Sequence, residues 1–248
     1  INSIFKGQQL KHNYLNNRDI LKEIHKSKMT YCSFSAPEDA YYDIILDNVT
    51  RINRNTIAEA RRLRADRLAR VNYELAQEKS TERLKLDDFT IDSKKIPDTD
   101  IVFRISTWEH IPTDVSKRKK INEPVDDEPV TTEYDNEDTA TTSAKYVKVN
   151  FPPFKHYKIT AEKVPYCVGI SHWKGGLAKG SFSKDHGTMT PKLAHMFIKL
   201  CERYATRSNW RGYTYNDEMR SQALLQLSQI GLQFDESKSQ NPFALLYC

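Results

Sequence analysis

"TPKLAHMFIKLCERYATRSNWRGYTYNDEMRSQALLQLSQIGLQFDESKSQNPFALLYC" (Thr190–Cys248) carries the clearest structural signal in the chain. Thr190 suits an N-cap and Pro191 the first helical position. Leu193, Phe197, Leu200, Cys201 and Tyr204 then recur at helical spacing. "RSNWRGY" (Arg207–Tyr213) closes this helix, with Gly212 as the breaker. Thr214 and Asp217 have the spacing of a capping box, and Asp217 and Glu218 put negative charge where the helix dipole favours it. Met219, Ala223, Leu227, Ile230 and Phe234 form the apolar stripe of a second helix, opposite Arg220, Gln222, Gln226 and Gln229. Leu224 and Leu225 fall partly off that stripe, which points to a partner surface. "DESKSQ" (Asp235–Gln240) reads as a turn. Asn241-Pro242 opens a third helix, followed by Phe243, Leu245, Leu246 and Tyr247. The sequence stops one turn later, as expected of a piece of a longer reading frame, and its first residue is Ile.

Working outward, the chain of 248 residues is long enough for one or two domains with a sizeable core. Charged residues make up 29% and the net charge is +5, a mildly basic balance that permits nucleic-acid contact without requiring it. No run of 18 apolar residues occurs, and "INSIFKGQQL" has no apolar signal core. Cys32, Cys167, Cys201 and Cys248 are too dispersed for a disulfide framework or a zinc site and read as reduced thiols.

Asn16 to about Lys26 predicts a short helix, capped by Asn16 with Asp19 three residues on. Glu38 to about Lys79 predicts one long helix with Tyr42, Ile45, Val49, Ile52, Thr56, Ala60 and Leu63 in phase. Its second half carries Arg61, Arg62, Arg64, Arg67 and Arg70. Two readings stand: a basic helix that tracks phosphates or an acidic protein surface, or a solvated helix with internal pairs to Glu59, Asp66 and Glu74. Thr99–Pro112 predicts one or two strands. Lys117–Ala144 has almost no large apolar residues and predicts a disordered linker. Lys145–Ile159 is a second β-like stretch, interrupted by Pro152-Pro153. Cys167–Thr190 holds five of the eight glycines and predicts a connector. Within it His172, Asp185 and His186 lack the further ligands of a metal site and the nucleophile of a hydrolase. No phosphate-binding glycine motif is present. A nuclease built on these three residues is therefore the weakest functional alternative.

The stretch "ERYATRSNWRGYTYNDEMRSQALLQLSQIGLQFDESKSQNPFA" resembles region 2 of a sigma factor, most closely the late-transcription sigma factors of tailed phages. The shared features are the aromatic-and-glycine turn "NWRGY", the acidic helix start "DEM", the closing "GLQFDESK" and the following "NPFA". The N-terminal "HNYLNNRDILKEI" is also similar to the opening of those proteins. The expected fold is mainly α: a sigma region 2-like helical bundle at the C-terminus, with a long basic helix and a small, less regular β-containing insertion. The expected division is 1–35 as a helical segment packing with the sigma-like domain, 36–116 as the long basic helix and short strands, 117–144 as linker, 145–188 as irregular connector, and 189–248 as the sigma-like domain.

The resemblance implies a non-enzymatic specificity subunit that binds host core RNA polymerase and directs it to late promoters, in the cytoplasm of an infected bacterium. It implies no catalytic residue, metal or cofactor. The second helix of region 2 docks on the clamp coiled coil of the largest polymerase subunit, which points here to Asp217, Glu218, Ser221, Gln222, Leu225 and Gln229. Carboxylates and amides on that face can pair with a basic coiled coil without burying an unpaired charge. The family's third helix reads a −10-like promoter element with stacking aromatics, for which Phe243 and Tyr247 are best placed. Trp210 and Arg211 either stack on a base or plug the end of the core. The family's C-terminal tail, which engages a sliding clamp and coactivator, would lie beyond Cys248. A helical adaptor that binds polymerase or a replication protein without reading DNA shares these helices.

Overall fold

The computed structural model describes residues 16–80, 82–113, 146–207, 212–239 and 241–242. Its centre is a β-sheet. Five strands, β1 (Cys32–Phe34), β2 (Ile44–Leu46), β3 (Phe103–Ser106), β4 (Phe154–Ile159) and β5 (Pro165–Ser171), run in the order β1-β5-β4-β3-β2. All neighbouring pairs are antiparallel except β2–β3, which is parallel. A two-stranded hairpin, β6 (Trp173–Lys174) and β7 (Ser181–Phe182), follows β5 directly. Around these pack four α-helices among the described residues: α1 (Asn17–Met29), α2 (Arg54–Lys79), α3 (Pro191–Ala205) and α4 (Asn216–Ile230).

The expectation of a mainly α bundle with a small β insertion is therefore corrected: the fold is a mixed α/β one. Its strands come from the 1–35, 36–116 and 145–188 segments alike. Alternation along the strands explains why the sheet takes helices on both sides. Phe103 and Ile105 of β3 and Ile159 of β4 join Leu46, Ile101 and the α2 residues Ile57 and Ala60 in one cluster. Phe154, pointing the other way, joins Phe151, Ile20 and Ile24 of α1, Leu193, Phe197, Leu200 and Cys201 of α3, and Leu227, Leu232 and Phe234 around α4. The sheet thus supplies a wall of the same core that the C-terminal helices share.

The long helix expected from Glu38 begins only at Arg54. Asn53 caps it, accepting from the backbone N–H groups of Asn55 and Thr56, while Thr56 Oγ1 accepts from the Asn53 N–H. Upstream, Pro37 starts a 3-10 turn over Pro37–Ala40, and Ile44-Ile45-Leu46 is drawn into the sheet by pairing with β3. The three-and-four spacing through Tyr42, Ile45 and Val49 was coincidence with a helical period, overridden by a partner strand nearly 60 residues away in sequence. The connector expected over Cys167–Thr190 holds the end of β5 and the whole β6–β7 hairpin. The linker expected over Lys117–Ala144 lies outside the described residues.

Other expectations agree with the structure. Asn16 caps α1, accepting from Asp19 N–H at 2.7 Å and donating to the Asp19 carboxylate at 2.7 Å. Thr190 caps α3, with Pro191 in the first turn. Cys32, Cys167 and Cys201 are free thiols, and burial pushes the Cys32 thiol up to about 12.

One glycine is fixed by packing. Gly169 of β5 lies opposite both Phe34 and His156, and a Cβ there would come within 2.5 Å of the Phe34 ring. Gly169→Ala is expected to destabilise the fold by about 1–3 kcal/mol, the range for overpacking. A urea titration measures this; an unchanged midpoint would show that Phe34 swings aside freely.

Candidate functional site: the exposed face of α4

α4 begins at Asn216, two residues later than the expected cap at Thr214. Tyr215 occupies the N-cap position and provides no side-chain hydrogen bond. The Asn216 side chain instead donates to the Ala205 carbonyl at the end of α3, 3.1 Å away, and ties the two helices together at that end. At the other end the chain is drawn into the core. A side chain at Gly231 would overlap the Phe197 ring of α3, so only glycine permits this approach. Leu232 and Phe234 follow as buried residues, and Leu227 is the buried side chain of α4 itself.

With one side of α4 held this way, the other faces solvent. Asp217, Glu218, Ser221, Gln222, Leu225 and Gln229 are all exposed. At ~100° per residue they fall within an arc of about 140° on one side of the helix. Leu225 is 52% exposed, an isolated apolar residue among carboxylates and amides. The Asp217 side chain is 85% exposed and pairs with Arg220 at 3.2 Å; Ser221 Oγ donates back to the Asp217 carbonyl. The sequence placed Met219 in the buried stripe, yet it is 39% exposed, and Tyr215 is 62% exposed beside it. Both extend the solvent-facing surface with apolar area. The stripe's buried members are Leu227 and Phe234, with Ala223 partly buried.

The remaining sequence-derived candidates, Trp210, Arg211, Phe243 and Tyr247, lie outside the described residues.

A set of residues the sequence reading missed anchors the turn after α4. Glu236 reaches back across the fold to Lys28 of α1, with its carboxylate 2.7 Å from Nζ. Lys28 is 1% exposed and also donates to the Phe234 carbonyl. Arg104 of β3, 3% exposed, lies 3.9 Å from the same carboxylate. Its guanidinium is sandwiched between the Tyr42 and Phe154 rings, 3.8 Å from each centroid. Arg104 Nε donates to His156 Nε2 at 3.0 Å, which leaves the His156 proton on Nδ1, donated to the Asp39 carbonyl at 2.7 Å.

The electrostatics follow from that enclosure. Burial alone would raise the Glu236 carboxyl, but the Lys28 and Arg104 charges together hold it below its ordinary value. Burial, then the Arg104 charge, pushes His25 and His156 well below theirs. A cleft of about 350 Å³ opens beside this cluster, lined in part by Leu21, Ile45, Leu63 and Glu236.

Neither reading of the basic α2 face describes its arginines fully. Arg61 pairs with Asp98, Arg64 with Asp43 and the Asp100 carbonyl, and Arg67 with Asp43 and the Tyr42 carbonyl. Glu74 pairs with Arg18 and Lys22 of α1. These contacts join α2 to other elements instead of closing within the helix, and they occupy three of the five arginines from Arg61 to Arg70; Arg62 and Arg70 are exposed and have no ion-pair partner among the described residues.

His172 is fully buried, with neither ring nitrogen hydrogen-bonded. Among the described residues no group of three or more His, Cys, Asp or Glu side chains could hold a metal ion. No helix among them is long and apolar enough to cross a membrane. No family model, curated protein or solved structure matches the chain.

Proposed function

We propose that the chain is a specificity subunit of transcription that binds bacterial core RNA polymerase through α4. In this reading Asp217, Glu218, Ser221, Gln222, Leu225 and Gln229 dock on the clamp coiled coil of the largest subunit. The sequence that follows Asn241-Pro242, with Phe243 and Tyr247, reads the −10-like element of phage late promoters. Polymerase supplies the chemistry; this subunit supplies position and captures unstacked bases.

The observation that supports the reading is the arrangement of those six side chains. They share one solvent-facing side of a helix anchored at both ends, by Asn216 to α3 and by Phe234 and Glu236 to the core. An anchored helix loses little freedom on docking, so more of its contact energy appears as affinity. Acidic and amide groups around a single leucine also suit a basic coiled coil with an apolar seam.

The test is a pull-down of purified bacterial core polymerase with the full chain and its Asp217→Lys, Glu218→Lys double variant. The expected loss of affinity is roughly tenfold or more, since like charges would then face each other. Both residues are exposed, so circular dichroism should be unchanged. Equal retention of polymerase by the two proteins would end the docking assignment.

A further inference from the structure

The β6–β7 hairpin has two features that the α4 face lacks, cations without partners and a glycine-rich tip, and like α4 it is anchored to the rest of the fold. From Lys163 to Lys184 the sequence has four lysines and no carboxylate. Lys174 and Lys179 on the hairpin, and Lys184 two residues beyond β7, are exposed, and among the described residues none of their ammonium groups has an ion-pair or hydrogen-bond partner. The nearest carboxylate along the chain is Asp185, just past the hairpin. On α2, Arg61, Arg64 and Arg67 are paired, while Arg62 and Arg70 are exposed and have no ion-pair partner among the described residues.

The hairpin's base is well held. His172 takes a left-handed backbone conformation (φ 52°) and turns the chain from β5 into β6. Ser183 N–H then donates to the His172 carbonyl at 2.8 Å, and Trp173 N–H donates to the Tyr31 carbonyl. Ser33 Oγ donates to the Trp173 carbonyl, and the Asn150 amide to the Lys184 carbonyl. At the tip, Lys179 N–H and the Trp173 indole N–H both donate to the Gly176 carbonyl. Gly175 needs its positive φ of 98°, and a Cβ at Gly176 would meet open space.

What is displayed is charge and bare backbone. Trp173, whose indole N–H is tied to the Gly176 carbonyl, and Phe182 are both half-buried, which limits the ring face available for stacking on an unpaired base. The exposed positions Lys174, Gly175, Gly176, Ala178, Lys179 and Ser181 also hold no apolar centre of the kind a protein interface buries. Phosphate contact needs neither. We infer that the β6–β7 hairpin contacts the phosphate backbone of duplex DNA, without reading sequence, through Lys174, Lys179 and Lys184. This surface is separate from α4, and its test needs no polymerase.

The experiment measures binding of the full chain to a short mixed-sequence DNA duplex by fluorescence anisotropy over a range of salt concentrations. The comparison is the Lys174→Gln, Lys179→Gln, Lys184→Gln variant. Each phosphate contact contributes a slope of about −0.9 in log K against log salt, so the variant's slope should flatten by about 2.7. All three positions are exposed, and unchanged circular dichroism checks that the fold is intact. Identical slopes for the two proteins would overturn the inference. So would a single strand bound as tightly as the duplex, with the same loss in the variant. Polymerase capture by the variant should match the parent; loss of polymerase with DNA binding intact would make the hairpin a protein contact instead.

Discussion

Lys28→Met is expected to cost about 3–5 kcal/mol of stability, the range for removing one partner of a buried ion pair. Methionine fills a similar volume, so the loss comes from charge. Without Lys28, the buried Glu236 carboxylate keeps only the Arg104 guanidinium, 3.9 Å away. The Phe234 carbonyl loses its donor as well. Urea denaturation measures the effect, and a shift below about 1 kcal/mol would mean that Glu236 simply turns out to solvent. The double variant Lys28→Met, Glu236→Gln removes both charges and should recover much of the loss, because paired substitutions in contact are not additive. Failure of that recovery would assign the cost to Lys28 packing over the Phe151 ring.

The consequence extends to α4. Glu236 lies six residues after Ile230, the end of that helix, and between them Gly231, Leu232 and Phe234 are buried, Leu232 and Phe234 in the core shared with Phe197 and α1. The sheet therefore does more than sit beside the helical part. Through Arg104 of β3 it contributes to the site that holds the turn after α4 in place. In the proposed reading, loosening that turn should weaken polymerase capture even though every docking residue remains present.

How much of this was legible in the sequence can be argued from particular residues. Short-range signals read well: the Asn16 cap, the Thr190-Pro191 start and the exposed side of α4 all depend on neighbours within one or two turns. The sheet did not, because β2 and β1 are three residues each and gain their conformation from pairing with β3 and β5. A window over Tyr42–Ile52 contains no trace of that partner. The polar cluster had one weak signal. Lys28 continues the Ile20, Ile24 spacing on the buried side of α1, where an aliphatic residue would be usual. Its partner is 208 residues away, and no local pattern names it.

Lowering the pH below about 6.5 is expected to unfold the protein steeply, and histidines set that limit. Four of them are held neutral by the fold. Burial comes first in each case: it acts with the Arg104 charge on His25 and His156, with Lys155 on His110, which falls to about 4, and with His110 and His186 on His172, which falls to about 3. Above the ordinary histidine value both folded and unfolded chains are neutral at these sites, and stability does not depend on pH through them. Below it the unfolded chain binds protons that the folded chain refuses. Stability is thus fully present above about pH 6.5 and falls as the pH falls, for His110 until about 4 and for His172 until about 3. Each proton taken up only by the unfolded chain costs about 1.4 kcal/mol per pH unit, so four together can exhaust an ordinary folding free energy within about two units. Urea midpoints measured between pH 7.5 and 5 should fall progressively, with the steepest change below about 6. The double variant His110→Gln, His172→Asn should show a slope reduced by about two protons, with Asn tolerating the left-handed backbone at position 172. A midpoint flat across this range would mean that buried imidazoles gain protons without opening the fold, and would remove the histidine account of acid sensitivity.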